Sequence, residues 1–255
     1  MKKIIFIFIA AGLAFSSASA QSAHPWKEYN NLLEQTYQRL DTATNRDAVI
    51  EEYVEQAYPI LINNIHHPET DSIIMDYFYM LTPERKAEVV SLVAPERWKS
   101  DETLNKIYTR YQAELLTSAG KHYIDVQALT EDNKEVKLSE LVGQADYLLV
   151  DFWASWCRPC RMLIPHVKEL YAKYHASGRL DVVGISIDAS RKDWTKALKQ
   201  EQMEWLQLFD TGEEPHNPRV TYGITAIPTT LLIDRNGTIV LRNPSEEEIE
   251  ELLNK

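Results

Sequence analysis

From Trp26 to Leu115 apolar residues return every third or fourth position, the repeat of an amphipathic helix face. Trp26, Tyr29, Leu32, Leu33, Tyr37 and Leu40 form one such stripe, and Val49, Ile50, Tyr53, Val54, Ala57 and Leu61 a second. Further helices are predicted through Ile73–Leu81, Val89–Val93 and Leu104–Leu115. Thr82 before Pro83 reads as a helix cap followed by proline in the first turn, and Ser100 or Asp101 as the cap of the last helix. Pro59, Pro68 and Pro95 are expected to break or kink the helices. After Gly120 the pattern changes to short apolar strands alternating with helices. Strands are predicted at Tyr147–Trp153, Leu180–Ile187, Thr230–Ile233 and Ile239–Leu241, with helices at about Pro159–Tyr174 and Asp193–Glu201. Asn236–Gly237 joins the last two strands as a hairpin, and Ser245 followed by three glutamates opens a C-terminal helix. The pattern predicts an all-α region over residues 21–118, then an α/β layer fold over 119–255.

Glycine supports the division: none of the chain's eight glycines lies between Gln21 and Ala119. The first twenty residues stand apart from both regions. Lys2 and Lys3 precede an apolar run from Ile4 to Phe15, followed by Ala18-Ser19-Ala20, the layout of a secretory signal peptide cut after Ala20. Twelve apolar residues fall short of the roughly 20 that cross a bilayer. The expected product is exported or periplasmic. Its charge moves from −11 to −13 as the two lysines leave. With 38 acidic against 27 basic side chains, a nucleic-acid partner is not expected, because binding by counterion release needs a clustered basic surface.

Eight tyrosines lie in the helical region, mostly on its apolar stripes, so they are read as core. His66 and His67 beside Pro68 read as a solvated turn, and His166 and His175 as surface residues. The candidate chemistry is in Cys157-Arg158-Pro159-Cys160, which holds both cysteines of the chain at a strand-to-helix junction. A purely stabilising disulfide is disfavoured, since closing a four-residue ring contributes about 2 kcal/mol against about 5 for a hundred-residue loop. Half of a zinc site would need two further ligands, and no other cysteine exists. Redox exchange is the remaining use, with no metal or other cofactor expected. Pro159 fits the first helical turn and leaves Cys157, expected to be the exposed thiol, at the helix N-terminus, where free N–H groups and Arg158 favour a thiolate. Lowering a thiol pKa from about 8.5 to about 7 raises the thiolate fraction about sixteenfold at pH 7. Weaker nucleophilicity then takes back about fivefold. Placement of Cys160 one turn away, as an intramolecular resolving thiol, should therefore matter more than the thiolate fraction.

The segment Val150-Asp151-Phe152-Trp153-Ala154-Ser155-Trp156-Cys157-Arg158-Pro159-Cys160-Arg161 resembles the active-site segment of the thioredoxin superfamily. Gly223-Ile224-Thr225-Ala226-Ile227-Pro228-Thr229-Thr230 resembles its second signature, and Pro165 its helix proline. The stretch Tyr123–Leu141 is similar to the N-terminal hairpin of the TlpA/ResA-like periplasmic branch. The resemblance covers about residues 120–255. It implies a thioredoxin fold, a central mixed sheet flanked by helices, preceded here by the all-α domain. It also implies thiol:disulfide exchange, with Cys157 attacking, Cys160 resolving and Pro228 as a cis-proline facing the disulfide. Ile227 would offer its main chain to an extended substrate, with Trp156, Arg158 and Pro159 as further substrate-binding residues. Asp151 would lie buried beneath the cysteines, with a raised pKa, and accept the Cys160 proton. The expected partners are protein thiols or disulfides and a membrane thiol-reductant donor. A peroxidase would need a differently placed cysteine. A binding protein or chaperone whose helical domain holds clients is the rival from another class.

Overall fold

The computed structural model describes residues 22–213 and 217–254. The expected signal peptide lies outside them. Among the described residues no helix is long and apolar enough to cross a membrane. The chain forms two compact units that divide between Arg97 and Trp98.

The first unit is helical, with α1 (Pro25–Leu40), α2 (Arg46–Asn63), α3 (Thr70–Tyr77) and α4 (Pro83–Leu92). The short helix α5 (Pro95–Trp98) follows. The stripes place Tyr29, Tyr53, Ala57, Leu61, Ile73, Ile74, Tyr77 and Val89 in the core. Three of these tyrosines pack ring against ring at 6.0–6.3 Å. Their hydroxyls are used internally: Tyr53 donates to Tyr29, Tyr29 to Asp76, and Tyr77 to the Val54 carbonyl. Tyr37 and Tyr79 are exposed instead. Thr82 caps α4 through the Arg85 amide, with Pro83 in its first turn. Pro59 does not break its helix. It lies on an exposed face of α2, which continues through it, as a missing single backbone donor permits.

The second unit begins with α6 (Glu102–Leu116), capped by Asp101. Helical period groups α6 with the preceding helices, whereas its packing joins it to the α/β unit. The cause is specific. A Cβ on Gly223 would lie 2.4 Å from the Arg110 carbonyl oxygen, so only glycine lets the α6 backbone approach so closely. The half-buried Arg242 donates to the Thr117 carbonyl at 3.2 Å and to the Tyr222 carbonyl at 2.9 Å. One cation thus closes two helix C-termini, where unpaired carbonyls carry the negative end of the dipole.

Seven strands form one mixed sheet in the order β2-β1-β5-β4-β3-β6-β7. They are β1 (Gln127–Leu129), β2 (Glu135–Lys137), β3 (Tyr147–Trp153), β4 (Leu180–Ser186), β5 (Leu206–Phe209), β6 (Thr229–Asp234) and β7 (Ile239–Arg242). β3, β4 and β5 are parallel, and β6 returns antiparallel to β3. The remaining helices are α7 (Arg158–Tyr174), α8 (Arg191–Glu201), α9 (Pro218–Thr221) and α10 (Glu246–Leu253). β1 and β2 pair as the expected hairpin. β5 and α9 are additional to the elements read from the sequence.

Alternation along β3 sorts its side chains. Leu148, Val150 and Phe152 pack with Val183, Ile185 and Leu231 on one face. Leu149 faces Ile164, Val167 and Leu170 of α7, and Trp153 on that same side packs with both cysteines, Trp194 and Phe209. Asp151 stands between Leu149 and Trp153 on the side covered by α7.

Candidate active site

Cys157 is the N-cap of α7, and Pro159 occupies the first turn without wasting a donor. The Cys160 amide lies 3.1 Å from Cys157 Sγ, and the Cys157 amide is held by the Ala154 carbonyl at 3.0 Å. The two cysteines form a disulfide with Cα atoms 5.3 Å apart. When the bond is reduced, the same amide and the positive end of α7 meet a sulfur that can carry charge.

Across the cleft the Ile227–Pro228 peptide is cis. The Ile227 carbonyl oxygen stands 3.7 Å from Cys157 Sγ, although 70 residues separate them. Ile227 and Pro228 are half-buried, and Ile227 packs against the cluster that holds the cysteines. Trp156, 67% exposed, stands beside the pair, and Arg158 and Pro159 are exposed on the first turn of α7. Met162, also exposed one turn further along α7, adds apolar surface that the sequence reading did not single out.

Cys157 differs from its expected exposure. In the disulfide form it is 4% exposed and Cys160 1%, because Cys157 packs into a cluster with Trp153, Ala154 and Trp194 and beneath Ile227. Access to its sulfur is governed by what covers the bond, whereas position at a helix start leaves it open only locally.

Asp151 is 2% exposed, and its Oδ1 meets no hydrogen-bond partner. Burial alone pushes its carboxyl up to about 7, so near neutrality it can both accept and release a proton.

A second acid, Asp188, carries no signal in the local sequence. Buried just beyond β4, it accepts from the Ser155 amide at 2.8 Å, the Ser155 hydroxyl at 2.7 Å and the Ser186 hydroxyl at 2.7 Å. It ties the loop that presents Cys157 to the neighbouring strand end. Trp153 is likewise fixed from a distance, its indole donating to Gln207 Oε1 at 3.0 Å.

The nearest approach to a metal-ligand group among the described residues is His166, Glu169 and Glu246, within 4.8 Å of one another, all exposed and on the surface of α7 and α10. The thiol site itself offers sulfur, a buried carboxyl, backbone groups and an apolar rim, a set suited to thiol–disulfide exchange.

Comparison with known proteins agrees. The thioredoxin-like family profile matches residues 144–239. The thiol-disulfide oxidoreductase ResA of Bacillus thuringiensis subsp. konkukian is 30% identical over 127 residues, 49% of this chain and 70% of that protein. Tryparedoxin of Trypanosoma brucei brucei is 33% identical over 127 residues, 49% of this chain and 85% of its own. The solved thioredoxin domain of a thiol-disulfide oxidoreductase from Bacteroides vulgatus superposes with a TM-score of 0.50 at 25% identity, covering 54% of this chain and 99% of that one. With a redox-ready cysteine pair at a helix start, a cis-proline opposite it and relatives of this kind, the chain belongs to the thioredoxin-like family of thiol-disulfide oxidoreductases.

Proposed function

We propose that the protein is an exported reductant that exchanges disulfides with protein substrates through Cys157 and Cys160. The observation that carries this reading is the meeting, at one sulfur, of a helix N-terminus, the Cys160 amide at 3.1 Å and the Ile227 carbonyl at 3.7 Å. In the reduced protein the Cys157 thiolate attacks one sulfur of a substrate disulfide, and the other substrate sulfur leaves as a thiolate. Cys160 then attacks Cys157 Sγ and releases the second substrate sulfur, regenerating the intramolecular disulfide. Its proton passes to Asp151, whose neighbouring Trp153 packs against the cysteines. An extended substrate aligns its backbone along Ile227 beside Pro228, and Trp156, Arg158 and Pro159 supply the exposed rim.

The acceptor for the Cys160 proton serves the resolving step and, in reverse, the opening of the disulfide, so the potential of the couple sets the direction. A membrane thiol donor would then return the electrons to the disulfide. Export is supported by the Lys2-Lys3 start, the apolar run and the small residues at Ala18 and Ala20, and by the persistence of disulfides outside the cytosol. The test is trapping. Cys160→Ser should accumulate mixed disulfides with protein substrates, Cys157→Ser should not, and the couple should poise near about −270 mV instead of about −120 mV. Trapping through Cys160 would reverse the order of the two thiols, and clients retained after both cysteines are replaced, with no turnover in the parent, would replace exchange by a holding role.

A further inference from the structure

A rank of polar positions crosses the sheet beneath α7. Strand register aligns Thr230 of β6, Asp151 of β3, Gly184 of β4 and Gln207 of β5 as successive neighbours. Their common face follows from the core: flanking partners Leu149, Val182 and Leu232 share one apolar cluster, and Val150, Val183 and Leu231 share the opposite one. Aligned partners point to the same side, so all four positions face α7 and α8.

Gly184 leaves a gap in this rank, and Gln207 fills it. A Cβ built on Gly184 would lie 2.3 Å from Gln207 Oε1 and 2.7 Å from Nε2. The amide therefore lies across β4, toward the strand that carries Asp151. It is pinned there by the Trp153 indole at 3.0 Å and by Met203 Sδ at 3.5 Å. Gln207 is half-buried, and its outer side lines a groove of about 560 Å³ beside α8. Asp151, by contrast, is enclosed and has an unpartnered Oδ1. The charged groups around the groove are Glu131, Asp132, Lys199 and Glu204, and those at the Thr230 end of the rank are His166 and Glu246. None of them contributes to the shift of Asp151, which burial alone produces.

A buried acceptor must be emptied. Each resolving event moves one proton from Cys160 Sγ to an Asp151 oxygen while the Cys160–Cys157 bond forms and the substrate sulfur departs with its electron pair. That proton has to reach water before the next cycle. We propose that Gln207 is a positioning residue for this reaction, its amide laid across Gly184 to orient water from the groove beside α8 that takes up the Asp151 proton. The inference rests on the reading of Asp151 as the Cys160 proton acceptor.

The resolving step can be followed in the full chain by stopped-flow tryptophan fluorescence with a small generic disulfide between pH 5 and 9. Gln207→Met keeps the length and removes the amide. It should slow the step about fivefold at pH 7 and move its acid limb up by about one pH unit, since raising a midpoint of about 7 by one unit lowers the carboxylate fraction at pH 7 from about one half to about one eleventh. Gly184→Ala keeps the amide but displaces it, and should do the same. Alkylation of Cys157 should be unchanged in both. The decisive arm is the double variant: with Asp151→Asn already present, Gln207→Met should slow the step no further. Equal slowing with and without Asp151→Asn would make Gln207 a merely structural contact and overturn the proposal. An unchanged rate and pH profile in both single variants would also overturn it. If Asp151→Asn alone has no effect, the reading of Asp151 fails and the proposal with it. If Asp151→Asn slows the step and the Gln207 and Gly184 variants do not, this proposal alone fails.

Discussion

Asp151→Asn is expected to stabilise the folded protein, and by an amount that depends on pH in a defined way. The carboxyl is 2% exposed and burial raises it from 3.8 to about 7. A group that holds its proton more tightly when folded contributes stability in full below the unfolded value. That contribution is lost as pH rises toward the folded value, and above it nothing more is lost. The window is therefore about pH 4 to 7. About three pH units at about 1.4 kcal/mol each gives about 4 kcal/mol, and so deep a site loses little of this to solvent screening. The asparagine amide brings its own unsatisfied donors, a penalty that does not vary with pH. The assay is urea unfolding of the oxidised chain at several pH values, read by tryptophan fluorescence. Five of the six tryptophans, Trp98, Trp153, Trp156, Trp194 and Trp205, lie in the second unit, so the signal follows that unit. The stability of Asp151→Asn relative to the parent should climb by about 4 kcal/mol between pH 4 and 8 and flatten above about 7. A difference that stays constant across this range would refute the assignment of Asp151 as a buried carboxyl forced to ionise at neutrality.

Two further outcomes follow from the packing. Asp188→Ala strands the Ser155 amide and the hydroxyls of Ser155 and Ser186, so urea unfolding should show a loss of about 3 to 5 kcal/mol with slower disulfide exchange. A loss below about 1 kcal/mol would mean that the loop does not depend on this carboxylate. Because α6 packs on Gly223 and Arg242 bonds to Thr117, a chain of residues 98–255 should unfold cooperatively and keep generic disulfide activity. One starting at Gly120 leaves the half-buried Arg242 with Tyr222 but without Thr117 and strips α6 from Gly223, and should be about 1 to 3 kcal/mol less stable by the same measurement. Equal stability of the two would show that α6 is dispensable to the α/β unit.

The elements around the cysteine pair are encoded locally, and the sequence alone determines them. Apolar periodicity specifies the helices and the long strands, Pro159 and the strand-helix junction place Cys157 at a helix start, and Ser245 with Glu248 closes a capping box over α10. These depend on residues a few positions apart, where propensity and capping act. β5 escapes such reading because four residues are too short for a period to show, and its place beside β4 comes from pairing. α6 has the pattern of the helices before it. Only the absence of a side chain at Gly223, more than a hundred residues later, settles where it packs. The burial of Cys157 beneath Ile227, the bracing of Ser155 by Asp188 and the laying of Gln207 over Gly184 likewise join residues about 20 to 70 positions apart. The chain carries no local mark for such contacts, because their energy exists only once the sheet has brought the partners together. The chemistry of the site was legible because it is written in one short segment, and its proton balance and access were not, because the folded core decides them.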